Sequence, residues 1–197
     1  TNGSYNIAIG SGAMYSNTTG AGNIAFGVDT LGYNTIGSDN IAIGSNSLAS
    51  NTEGFGNLVV GTNSLTLNTI GFLNSGIGAG SLSNNTEGYR NTAVGMGALT
   101  SNTTGYFNLA FGENANFGTT TGYNNIGIGS YTLAFNTSGS YNLAIGNAAL
   151  SANETGDSNT AIGAYSMAGA YDAGGTKMTG SSNLGIGDYS LYNNITG

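Results

Sequence analysis

The pentapeptide Asn-Ile-Ala-Ile-Gly at residues 6–10 returns unchanged at residues 40–44, and close variants of it occur every 17 residues along the chain. In each variant an asparagine stands four residues before the glycine, and a second glycine stands seven residues before it. The motif glycines are Gly10, Gly27, Gly44, Gly61, Gly78, Gly95, Gly112, Gly129, Gly146 and Gly163, followed after seven extra residues by Gly187. Such a repeat is typical of a solenoid, in which each unit buries its apolar face by stacking on the next.

The composition of one repeat predicts β-structure. The residue before each motif glycine is β-branched or aromatic, and the fourth residue after it is leucine or methionine in most repeats. An Asn-Thr-x-Gly turn follows. The glycines of the 17-residue repeat, together with this turn, leave no uninterrupted window of ~10 to 12 residues for a helix. We therefore predict an all-β fold, a parallel β-roll or β-solenoid of about eleven 17-residue coils with two short strands in each coil.

The repeat covers the whole chain, so residues 1–197 are predicted to form a single repeat array. A 7-residue insertion around 169–177 interrupts it and is expected to bulge from the surface, with Lys177 as a candidate contact residue. Both ends of the chain lie in the same turn of the repeat and neither resembles a cap. This predicts a segment of a longer fibrous protein, or a unit that associates end to end.

One asparagine per repeat is expected to be structural. Stacked coils would place these side-chain amides above one another, where each can bond to the next as in cross-β stacks. The predicted ladder consists of Asn6, Asn23, Asn40, Asn57, Asn74, Asn91, Asn108, Asn125, Asn142, Asn159 and Asn183.

Neither face of the strand before the motif glycine carries a charge, which indicates that both faces are buried. One face would pack inside the coil and the other against something else. Small residues such as Ala8 and Ala110 alternate with large ones, and the sequence does not reveal which set points inward. Further copies of the same chain around an axis are the simplest partner, so we expect a homo-oligomer.

Composition excludes several classes of function. The chain has no cysteine and no histidine, which removes thiol chemistry and most metal and hydrolytic chemistry, and we predict no enzyme, metal or cofactor. Its net charge is −7 with two basic residues, so binding of nucleic acid is not expected. No apolar run approaches the ~18 to 20 residues that span a bilayer, and membrane insertion is not expected either.

Two further columns are candidate contact surfaces. An aromatic column of Phe55, Phe72, Tyr89, Tyr106 and Tyr123 predicts a stacked array with rings about 5 Å apart, either structural or able to bind a glycan or receptor. A threonine column follows the turn asparagine and includes Thr18, Thr35, Thr52 and Thr69. Threonine arrays on flat solenoids suggest ice binding, whereas local hydroxyl hydrogen bonds are the alternative.

The repeats resemble those of a known group of proteins. Asn-Ile-Ala-Ile-Gly, Asn-Thr-Ala-Val-Gly at residues 91–95 and Asn-Thr-Ala-Ile-Gly at residues 159–163 look like the head repeats of trimeric autotransporter adhesins. They look still more like the longer repeats of phage tail fibres and bacterial surface proteins that end in an endosialidase-type intramolecular chaperone. The resemblance implies a left-handed, homotrimeric β-roll at a cell surface, in a secreted fibre or on a virion tail.

The function expected from this resemblance is a non-enzymatic shaft or head of an extracellular fibre, used for display and for attachment to a host-surface receptor or glycan. Two alternatives remain open at the level of sequence. One is a self-assembling extracellular filament subunit, and the other is an ice-binding β-solenoid.

Overall fold

The computed structural model describes residues 3–169, 177–194 and 196, and it is a parallel β-solenoid. The described residues contain eleven strands, one in each coil, and no helix. The predicted all-β solenoid fold is therefore confirmed. The strands are β1 (Ile7–Ile9), β2 (Ile24–Phe26), β3 (Ile41–Ile43), β4 (Leu58–Val60), β5 (Ser75–Ile77), β6 (Thr92–Val94), β7 (Leu109–Phe111), β8 (Ile126–Ile128), β9 (Leu143–Ile145), β10 (Thr160–Ile162) and β11 (Leu184–Ile186).

All eleven strands form one sheet in sequence order, and each pairs in parallel with the next. Equivalent repeat positions lie side by side, as Ala25 does with Ala42. The register survives the insertion, because Ala161 of β10 pairs with Gly185 of β11. Most of the predicted insertion, residues 170–176, lies outside the described residues.

The small central residue of each strand points into the coil, which settles the direction that the sequence left open. Ala25, Ala42, Val59, Ala93 and Ala110 are fully buried. They face the residue four positions after the motif glycine, which is leucine in most coils and which we call the leucine column. From the second coil to the ninth, every leucine of this column is also fully buried. The small residues therefore accommodate the leucines of their own chain, and they do not form a seam with another copy.

The prediction of a second strand in each coil is wrong. The segment after the motif glycine consists of successive turns, as shown by the Ala13 N–H donating to the Gly10 carbonyl and the Tyr15 N–H donating to the Gly12 carbonyl. Positive φ recurs at the second and fourth positions after the glycine, for example 70° at Gly12 and 51° at Met14. Positive φ at the third residue of a turn is the mark of the type II turn and is incompatible with a strand.

Eight leucines of the column adopt this left-handed conformation, with φ between 48° and 53°, and all of them except Leu191 are fully buried. The conformation costs an L-residue roughly 1 to 2 kcal/mol. Burial of a leucine side chain contributes about 1.5 to 3 kcal/mol, so packing can outweigh the backbone cost. The backbone is also bonded to the next coil, because the Leu48 N–H donates to the Ser64 carbonyl at 3.0 Å and the Leu65 N–H to the Ser81 carbonyl at 3.0 Å.

The seventh coil is irregular. Asn116 occupies the leucine position, is fully buried, and has a side-chain oxygen without a hydrogen-bond partner. The hydrophobic core divides at this coil into one cluster that ends at Ala115 and a second that begins at Leu133. Gly127 in the next strand is required here, because a Cβ atom would overlap the Asn116 amide.

Candidate interaction surfaces

The first and third residues of every strand point away from the coil, and we call this surface the outer sheet face. Nineteen of its twenty-two positions are Ile, Leu, Val or Phe and none is charged. These side chains are uncovered in the single chain, with Phe26 53%, Phe111 56% and Ile128 39% exposed. The sequence predicted burial on both sides of the strand, and the single chain buries only one.

The motif asparagines are bonded from coil to coil. The Asn57 amide donates to Asn40 Oδ1 at 3.0 Å and to the Gly71 carbonyl at 3.0 Å. Its own Oδ1 accepts the Asn74 backbone N–H at 3.0 Å and the Asn74 amide at 3.2 Å. These side chains are buried at 0 to 1% exposure in the middle of the array, so they satisfy backbone groups and are not available to a ligand.

A second asparagine ladder was not predicted and runs through the Asn-Thr turn. The Asn51 amide donates to Asn34 Oδ1 at 2.7 Å and to the Gly54 carbonyl at 2.9 Å, and the same pair of bonds recurs in most coils. Thr119 replaces the asparagine in the seventh coil, which leaves the buried Asn102 Oδ1 without a partner. The fixed spacing of these asparagines was the signal in the sequence.

The aromatic column forms a continuous stack, the aromatic ladder, with successive ring centroids 4.9 to 5.0 Å apart and planes within 9° of parallel. Both faces of the three inner rings are therefore covered by other rings. Phe55 at one end is 47% exposed, since Ser38 occupies the same position in the preceding coil. Because sugars bind to open ring faces, this arrangement favours the structural interpretation; glycan binding by the ladder stays a prediction.

Side chains of the adjacent column cover the ladder edge. Phe107 lies edge-on to Tyr89 and Tyr106, with ring centroids 5.8 and 5.7 Å away, and the Arg90 guanidinium lies 5.4 Å from the Phe107 ring centroid. Tyr141 is edge-on to the last ladder ring, Tyr123. The electrostatic interaction with the neighbouring Tyr141, followed by desolvation, raises the pKa of the Tyr123 hydroxyl above its ordinary value.

Lys177, the candidate contact residue of the insertion, forms an ion pair. Its Nζ lies 2.6 Å from Glu154 Oε1, and the two side chains are 44% and 31% exposed. The following residue, Met178, is fully buried and joins the second core cluster. Lys177 is thus paired with a residue of its own chain, and its contact with a partner remains a prediction.

The threonine column bonds between coils and not within its own turn. The Thr18 hydroxyl donates to the Thr35 carbonyl at 2.8 Å, and seven further threonines make the equivalent bond. These hydroxyl protons are therefore not free to bind an ordered water lattice.

The acidic side chains are dispersed. In the described part of the chain no three of them gather where they could hold a metal ion. Nor do those residues include a helix long and apolar enough to cross a lipid bilayer.

A third aromatic group was missed by sequence reasoning. Tyr131, Tyr165 and Tyr189 occupy the second position after the motif glycine, where earlier coils carry Gly, Asp or Asn. With Phe117 and Phe135 they lie on the turn side of the last five coils. The change from small or polar residues to tyrosine within one repeat position was the signal.

Comparisons of the chain with protein-family models, with curated proteins and with solved structures each found no match.

Proposed function

We propose that this chain is a non-enzymatic shaft or head segment of an extracellular fibre, assembled from three copies that bury their outer sheet faces against one another. The observation that carries the proposal is the uncovered outer sheet face itself. It is continuous over all eleven strands, uncharged and rich in Ile, Leu, Val and Phe.

The size of this face is close to that of a protein interface. Eleven strands ~4.8 Å apart, each with two outward side chains ~7 Å apart, give a strip roughly 50 Å by 12 Å, on the order of 600 Å² in projection. Exposed apolar patches above a few hundred Å² mark interaction sites, and a partner in a stable complex contributes about 800 Å². Burial of the strip would therefore supply most of a standard interface.

The number of copies and the extracellular setting come from the resemblance of the repeats to adhesin heads and tail-fibre repeats. A closed symmetric arrangement also fits the chemistry, since the same face on every copy is self-complementary and apolar. A fibre of this kind would serve display and attachment to a host-surface receptor or glycan.

The test is the mass and shape of the protein in solution, measured by light scattering with small-angle X-ray scattering. We expect a discrete particle of three times the chain mass of 19.6 kDa and about 50 Å long. Ile128→Lys, which places a charge on the outer sheet face, should give monomers. Thr121→Lys is the matched control, because Thr121 is exposed in a turn away from the strands, and it should leave the mass unchanged.

A monomer at all concentrations, or an unchanged oligomer in Ile128→Lys, would refute assembly through the outer sheet face. Rods that lengthen with concentration would instead support the end-to-end filament. Ice binding would require thermal hysteresis, and the use of the threonine hydroxyls in hydrogen bonds between coils does not favour it.

A further inference from the structure

The turn side of the solenoid contains a concave cavity of about 440 Å³ in its last five coils. Its walls are aromatic, formed by Phe117, Tyr131, Phe135, Tyr165 and Tyr192. The remaining lining residues are small or polar and belong to coils eight, nine and ten: Ala134, Asn147, Ala148, Ser151, Ala168 and Gly169. The size and aromatic lining are typical of small-molecule sites. None of the lining residues belongs to a strand, so assembly through the outer sheet face does not involve them.

Three successive coils create a slot within this cavity. Tyr131, Ala148 and Tyr165 occupy the same repeat position in coils eight, nine and ten, with φ of 57°, 54° and 55°. The tyrosine column is thus interrupted by one alanine. One face of the Tyr165 ring is covered by the Tyr189 ring, with centroids 5.1 Å apart and planes 14° from parallel. The opposite face of Tyr165 is turned toward Ala148. We call the gap between Tyr131 and Tyr165 over Ala148 the tyrosine slot.

The thickness of the slot indicates what it can hold. Two coils at ~4.8 Å separate Tyr131 from Tyr165 by about 10 Å. A flat aromatic ring between two others needs only ~7 to 8 Å, because carbon atoms pack at ~3.5 to 4.0 Å on each side. A puckered ring with hydrogens on both faces is thicker and fills the remaining space better.

The polar groups of the cavity favour a neutral, hydroxyl-rich ligand. Among the described residues no charged side chain lines it, so a charged ligand would find no ionic partner there. Ser151 Oγ donates to the Ala168 carbonyl at 3.2 Å and keeps its acceptor capacity. The Asn147 amide makes a long bond of 3.5 Å to the Ser130 carbonyl, which a ligand hydroxyl can replace. The phenolic hydroxyls of Tyr131 and Tyr165 can both donate and accept.

We propose that the tyrosine slot binds a pyranose ring of a neutral saccharide, with Tyr131 and Tyr165 packed on its two faces and Asn147 and Ser151 bonded to its hydroxyls. This differs from the aromatic ladder, where ring faces are covered by one another. The residues that would bind the ring all belong to one chain, so the site does not depend on the proposed fibre. Failure of fibre assembly and failure of saccharide binding are therefore separate results.

The test is a titration of the protein with methyl β-glucopyranoside, methyl β-galactopyranoside, N-acetylglucosamine and their linear trimers. Binding is followed by saturation-transfer NMR and by tyrosine fluorescence. We expect saturable binding of at least one of them, with Kd on the order of 0.1 to 10 mM. Ala148→Tyr would fill the slot with the residue that neighbouring coils already hold there, and it should weaken binding at least tenfold.

The matched control is Asn63→Tyr, which adds a tyrosine at the same repeat position of the fourth coil, where φ is 56°. It should bind as the unmodified protein does, and circular dichroism should show both variants folded. If none of the saccharides binds at concentrations up to about 50 mM, the proposal is overturned. Equal binding by Ala148→Tyr would also overturn it. Binding of p-cresol but no saccharide would identify the slot as a site for flat aromatic ligands and contradict the saccharide assignment.

Discussion

Replacement of Asn57 by alanine tests the claim that the motif asparagines hold the coils together. Asn57 is 1% exposed, and its side chain bonds to Asn40, Gly71 and Asn74. Alanine leaves the buried Asn74 N–H without an acceptor, which costs about 1 to 3 kcal/mol. The Gly71 carbonyl and the Asn74 amide each lose one of two bonds, worth roughly 0.5 to 1.5 kcal/mol apiece. We therefore expect a loss of about 3 kcal/mol.

The assay is native-state hydrogen exchange, because a repeat array opens locally and a single global unfolding transition would average the effect. Amides of the fourth and fifth coils that exchange through local opening should exchange about 100-fold faster in Asn57→Ala, as ~1.4 kcal/mol corresponds to a factor of ten. Amides of the tenth coil should be much less affected. A urea titration should show a lower midpoint for the whole protein.

The matched control is Asn63→Ala, six residues later in the same coil. Asn63 is exposed and accepts a 3.3 Å bond from Asn46 that water can replace. Alanine is already present at the equivalent Ala148 with φ of 54°, so the backbone tolerates it. The control should change stability by less than about 1 kcal/mol. If Asn57→Ala and Asn63→Ala differ by less than about 0.5 kcal/mol, the assignment of a structural role to the motif asparagines is wrong.

Further substitutions test three other features. Thr119→Asn should raise stability by about 1 kcal/mol in a urea titration, because it gives the buried Asn102 Oδ1 a donor; a decrease would contradict the account of the broken ladder. Ala110→Glu places a charge in the core and should unfold the surrounding coils, whereas the neighbouring Leu109→Glu lies on the outer sheet face and should leave folded monomers. Circular dichroism with light scattering separates the two outcomes, and similar behaviour of both variants would refute the inward direction of Ala110. Lys177→Ala should change the thermal midpoint little, since a half-exposed ion pair contributes under about 1 kcal/mol; a large drop would contradict this weak contribution.

The 17-residue period was sufficient to predict the solenoid, its parallel register and the stacking of equivalent residues. This is because stacking identical units brings each residue next to its own counterpart, whatever the path of the coil. The aromatic spacing of about 5 Å followed from the same argument and matches the 4.9 Å between Tyr89 and Tyr106.

The path within the coil could not be predicted in the same way. A leucine in the sequence does not predict a positive φ. Leu48 and Leu65 have a positive φ only because their side chains pack against the central residues of the strands. The tyrosine slot is also a property of the tertiary structure. Tyr131 and Tyr165 are 34 residues apart in sequence, and a space between them exists only because the coil that separates them presents an alanine.

The sequence by itself thus determined the repeat, the stacking direction and the residues that meet across coils, since these depend on periodicity alone. The tertiary structure decided which face of each strand is buried, where turns replace strands, and which side chains remain open to a partner. Those features depend on the volume enclosed by one coil, into which the leucines and the small strand centres must fit together.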